Sequence, residues 1–281
     1  MEWLVHWVVL IAFTALTGSV VVPVLVMRSP AAHPLLEATF GAYRRWLSIW
    51  ITMSAGASVL FLLAMWPVFE DGRVVWLTAA RLGLLGILAV HVWRRHEVNG
   101  WLIAPALALL LTQSLLSRSA ARTDWLPYTL NDWFHMTLTA SWLGGVAVLA
   151  CILIPAVINN RALLGALSHI VDRFSLLAIF CVAGLGVSGL IQSGAFLRDL
   201  SDLIETDFGR ALSVKLAGSM VLIGFGALHQ QVIAPRLRLW RLRAGQAEAQ
   251  ATTLRFRFSL YAEVITSLIV LLFVAAMKSS H

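Results

Sequence analysis

Eight histidines punctuate this 281-residue chain, and several fall inside apolar stretches. Imidazole is costly in hydrocarbon, so a histidine at membrane depth marks a functional group whose partner has to be found. At about 1.5 Å of rise per residue, the histidines sort into two layers. His6, near the start of the first apolar stretch, and His135, early in the fifth, share one level. His91, late in the third, and His229, late in the seventh, share the other, with His169 and His33 at its margin. Imidazole ligates copper, zinc and haem iron when two or more ligands converge from different helices. Met136, Met277, Asn131 and His281 lie at a depth comparable to the first pair, and a thioether there would favour Cu(I). Asp132 stands one helical turn before His135, where it would orient the ring. The plainer alternative is that each ring bonds a neighbouring hydroxyl or carbonyl, and for His33 and His96, in loops, that alternative is preferred.

The elements that position these groups must span a membrane. The chain is 59% hydrophobic and 12% charged, with a mean hydropathy of +0.83, well outside the soluble range. Residues 3–27, 46–66, 74–93, 101–117, 130–158, 174–194, 211–234 and 258–277 are eight stretches of the kind that fill a bilayer core, for which about 20 residues are needed. The expected fold is an all-α integral membrane protein, a bundle of about eight transmembrane helices in one polytopic domain over residues 1–281, with the lipid bilayer as its surroundings. Met1 and Glu2 precede the first stretch in place of a positive n-region, so it reads as a retained helix. Cys151 and Cys181 lie inside spans without disulfide or zinc spacing and read as small core residues.

The net charge of +7 sets orientation, with no segment organised for nucleic acid. Thirteen arginines, from Arg28 to Arg257, fall in the connections after odd-numbered spans, against Arg73, Arg118, Arg122, Arg198, Arg210 and Lys278 on the other side. The positive-inside rule makes the first group cytoplasmic and both termini periplasmic. The outer side also carries an acidic loop with Asp199, Asp202, Glu205 and Asp207, which would concentrate cations. Three charges lie within spans. Lys215 and Glu263 are each about one turn from an interface and within snorkelling reach, whereas Arg81 is deeper and needs a partner, for which Asp132 is a candidate. The basic connection 235–257 suits either a solvated loop or a helix on an anionic leaflet. No internal repeat supports an inverted-repeat transporter, and no nucleotide-binding motif supports an ATP-driven pump.

From His135 onward the chain resembles the copper-resistance protein D family (CopD, PcoD). The matching pieces are HMTLTASWLGG, DRFSLLAIFCVAGLGVSGL and DFGRALSVKLAGSMVLIGFGALHQQVIAPRL, followed by a last helix that holds Glu263. They occur in the family's order over about 130–278, and His135, Trp142, Gly144, Gly145, Arg210, Lys215 and Glu263 inherit its pattern. The resemblance implies an inner-membrane protein of copper handling with a periplasmic copper-binding protein as partner. One departure is Ser117-Arg118-Ser119, where relatives often show Gly-His-Ala.

The expected function is therefore movement or delivery of copper at the bacterial inner membrane. His6, His135 and Met136 would form the outer metal site, and His91 and His229 the inner one. Two histidine layers also suit a b-type haem-binding electron-transfer subunit, with the same pairs as axial ligands to haem b. A third reading is a structural anchor whose histidines only pack.

Overall fold

A computed structural model describes residues 2–65, 72–94, 99–117, 120, 124–194, 199, 201–242 and 246–279. The described residues form helices joined by short connections, with no strand among them. In chain order these are α1 (Glu2–Val26), α2 (His33–Met65), α3 (Arg73–Arg94), α4 (Ile103–Ser114), α5 (Trp125–Val148), α6 (Ile154–Asn159), α7 (Leu164–Gly194), α8 (Asp202–Glu205), α9 (Asp207–Leu228), α10 (Ala234–Leu242) and α11 (Gln246–Ser279). Among them are seven helical runs long and apolar enough to cross a membrane. The fourth expected stretch, 101–117, is shorter. The twelve residues of α4 rise only about 18 Å, short of the ~30 Å hydrocarbon core, because the apolar run gives way to polar residues from Thr112 onward.

Burial separates the centre of the bundle from its flanks. The best apolar windows of α1 and of the run Trp125–Asn159 are 83% and 72% buried by protein, against 11–33% for the other long helices, whose outward faces are left to lipid. Small residues make the central seam possible. A Cβ on Gly144 of α5 would lie 2.7 Å from Gly18 Cα and 2.7 Å from the Thr14 carbonyl of α1, so the two backbones meet as only glycine allows. Helices α2, α3 and α4 pack to one side of this seam, while α7, α9 and α11 pack to the other.

Polar side chains then fix the register of neighbours on α1. Tyr43 Oη donates to the Ser19 carbonyl, and Trp46 Nε1 donates to Ser19 Oγ at 2.7 Å. Trp7 Nε1 donates to the Leu268 carbonyl at 3.2 Å, and Arg173 donates to the Leu25 carbonyl at 2.9 Å. Early residues of α1 thus meet late residues of α11, and late residues of α1 meet early residues of α2 and α7, so α1 runs antiparallel to all three.

Two of the long helices widen into π-helical turns, Leu149–Leu153 after α5 and His229–Ile233 after α9. Each lies just before a proline, Pro155 and Pro235. Proline lacks an N–H, and its ring pushes away the carbonyl four residues back; those carbonyls, of Cys151 and Gln231, fall inside the widened turns.

Candidate functional site

Of the histidines singled out by sequence, His229 has the most developed surroundings. It opens the second π-helical turn, an irregularity that recurs at functional sites because it redirects a side chain out of the regular helical register. Its Nε2 is 2.8 Å from Ser259 Oγ, and its Nδ1 is 3.3 Å from Glu263 Oε2. Both partners lie one turn apart on α11, so a single helix face meets both ring nitrogens. Phe256 closes the ring edge-on, with centroids 5.1 Å apart, and the buried Trp142 of α5 lies beside the Glu263 carboxyl, neither oxygen of which has a hydrogen-bond partner.

Glu263 corrects the sequence reading. Its side chain does not snorkel to an interface; it is 1% exposed and turned into the bundle toward His229. Burial of a carboxyl in an apolar helix is costly without a partner, and here the partner is an imidazole. When Nε2–H donates to Ser259, the bare Nδ1 and the carboxylate oxygen stand 3.3 Å apart as two donor atoms. Two such donors about 2.0–2.1 Å from one ion and 3.3 Å apart subtend roughly 105°, close to a tetrahedral edge. Ser259 then acts as the outer contact that fixes the tautomer.

The other candidates are distributed. His135 bonds Ser188 Oγ of α7 through Nδ1 at 2.8 Å, and Ser188 in turn donates to the Gly184 carbonyl. Asp132 does not hold this ring: its Oδ1 accepts from Gln192 at 3.4 Å, and its Oδ2 has no hydrogen-bond partner. Met136 faces α4, where its sulfur accepts from Ser114 Oγ at 3.6 Å. His6 packs edge-on against Phe61 of α2, with centroids 5.2 Å apart. His135 is nine residues before Gly144, so at about 100° per residue it projects from the side of α5 opposite the α1 seam. His6 and His135 are therefore set against different neighbours, α2 and α7.

His91 lies on α3, on the flank away from His229, and its Nε2 is buried without a hydrogen-bond partner. His33 is near Glu37 at 3.5 Å on an exposed turn. His96, Arg118, Ser119 and His281 lie outside the described residues, as does the side chain of Met277. Among the described residues no three His, Cys, Asp or Glu side chains gather as a metal-binding group. Cys181 is buried as expected, whereas Cys151, in the first π-helical turn, is exposed.

Arg81 is also corrected. The Asp132 carboxylate is not its partner. The guanidinium donates to Thr112 Oγ1 at 2.9 Å, to the Thr112 carbonyl at 3.3 Å and to Gln113 Oε1 at 2.7 Å, and it lies against the rings of Phe13 and Phe61.

Sequence reasoning missed Ser188, Ser259 and the pairing of His229 with Glu263. The signal for the pair was present, since both residues fall in the pieces that carry the family resemblance. The comparisons bear on that region. Residues 168–277 match the family model CopD, copper resistance protein D. The copper transport protein CutJ of Bacillus subtilis (strain 168) is 28% identical over 169 residues, which is 58% of this chain and 31% of that protein. The match thus spans about a third of that relative's length. No solved structure matches the chain.

Proposed function

We propose that this multi-pass membrane protein, placed in the copper resistance protein D family through residues 168–277, moves copper or passes it on through donors inside its bundle. The family gives a copper-related role at the membrane, and the copper transport relative supports movement as its form. The observation that carries the reading is the buried His229–Glu263 pair, because both residues lie within the matched region and their donor atoms are spaced to share one ion. Copper is the cargo. His229 supplies imidazole, a good ligand for either copper oxidation state, and Glu263 supplies charge that offsets the ion's own in a dry site.

His135 and Met136, with His6 on the neighbouring flank, are the donors proposed for the outer end, and His91, on the opposite flank from His229, is a further donor proposed at the same inner level. The charge bias supports periplasmic termini at the bacterial inner membrane. The acidic residues Asp199, Asp202 and Glu205 would draw cations, or a basic face of a periplasmic copper-binding partner, to the entrance.

The test is copper flux into proteoliposomes that hold the full chain. Wild type should accumulate copper above empty vesicles, and His229→Ala should fall at least tenfold toward that background. Equal flux in the two would overturn the reading. An optical spectrum of the same purified samples decides the haem alternative, since a Soret band lost in His229→Ala would move the pair from copper to haem.

A further inference from the structure

The surroundings of Arg81 leave a charge unanswered. The residue sits about two turns into α3, its side chain fully buried at 0% exposure. Nε and Nη2 are engaged by Thr112 and Gln113, and the rings of Phe13 and Phe61 lie 5.2 and 5.3 Å from the guanidinium carbon. All of these partners are neutral. Nη1 has no hydrogen-bond partner. Thr78, one turn earlier on the same side of α3, is 1% exposed, and its Oγ1 also has none.

Guanidinium does not give up its proton, so the cation persists in a low-dielectric site. Aromatic faces and amide oxygens offset part of its desolvation. Water at Nη1 would complete the hydrogen bonds and leave the net charge in place. Among the described residues no carboxylate pairs with Arg81, so a small separate anion would supply the counter-charge that the neutral partners do not.

We propose that Arg81 Nη1 and Thr78 Oγ1 form a binding site for a small monovalent anion of the halide class. The choice of a spherical anion follows from which edge of the guanidinium is left. Carboxylates and phosphates bind best across a two-nitrogen fork, and the Nε–Nη2 fork is occupied by Thr112 and Gln113. The remaining donors, two N–H groups on Nη1 and the Thr78 hydroxyl one turn earlier on α3, suit a single small acceptor. The site lies in the opposite half of the bundle from His229 and is independent of the copper reading.

Chloride and bromide are the probes, with gluconate as the large, non-binding control at constant ionic strength. Purified full-length protein in detergent should show a saturable excess linewidth in chloride NMR, competed by bromide, and its thermal unfolding midpoint should rise with chloride and not with gluconate. Thr78→Val, nearly isosteric, should keep the fold and weaken halide binding about tenfold, the loss of one hydrogen bond to a charged ligand. Arg81→Gln should abolish the response. The proposal is overturned if wild type shows no saturable broadening and equal midpoints in chloride and gluconate, or if Thr78→Val binds halide as tightly as wild type.

Discussion

Arg81 and Glu263 are both ionisable side chains sunk in apolar helices, at 0% and 1% exposure, yet their neighbourhoods differ in kind. Arg81 is surrounded by groups that cannot change charge: two phenyl rings, an amide, a hydroxyl and a backbone carbonyl. Glu263 faces an imidazole that can gain or lose a proton or accept a metal in its place. The first arrangement holds a fixed cation on the α2–α4 flank. The second is a pair of donors with alternatives, on the flank that matches the copper resistance protein D family. A buried charge alone does not identify a site of exchange; the chemistry of what faces it does.

The two clusters share one support, the glycine seam between α1 and α5. Phe13 of α1 touches Arg81, and Trp142 of α5 reaches Glu263. Gly144→Ala should have the largest effect, because its Cβ would meet backbone that cannot step aside. Destabilisation of about 3 kcal/mol, read by chemical unfolding in detergent, should be accompanied by weakened copper and halide binding together. Loss of one without the other would show that the seam does not couple the clusters.

Gln113→Leu comes next. It removes the acceptor 2.7 Å from Arg81 Nη2 and leaves a buried cation short of a partner, at a cost of about 2 kcal/mol. The double variant Arg81→Met with Gln113→Leu should recover much of that stability, since removing both members leaves apolar packing. If the double variant is worse than Gln113→Leu alone, the cluster is not held as described.

The smallest effect is expected at Arg238, which pairs with Asp172 at 2.8 Å while 55% exposed. Arg238→Ala should change stability by at most about 1 kcal/mol and leave copper binding untouched. A larger loss would mean that the link between α10 and α7 transmits strain to His229.

The helices were readable because hydropathy over about 20 residues reports burial in lipid directly. The shortness of α4 was missed: 101–117 reads as a full span, whereas the helix ends at Ser114, where Thr112, Gln113 and Ser114 interrupt the apolar run. The direction a side chain takes within the bundle was not. Glu263 reads as one turn from an interface because the apolar run starts at 258, whereas α11 starts at Gln246 and holds it mid-helix, where the packing of α9 on α11, with the π-helical turn at His229, sets it toward the imidazole. Asp132 looked placed to serve His135 and Arg81, but Gln192 of α7 takes its oxygen, and α4 supplies Arg81 instead. The proline spacing behind both π-helical turns stands in the sequence, although its meaning depends on which helices those turns face.

If His229 and Glu263 together hold copper, each is needed for the same bound ion. Cu(I) titration of the purified chain against a competing chelator tests it, with wild type, His229→Ala, Glu263→Gln and the surface control Arg238→Ala measured side by side. His229→Ala and Glu263→Gln should each lose the same copper equivalent while Arg238→Ala retains it. Full copper stoichiometry and affinity in His229→Ala would contradict a shared ion.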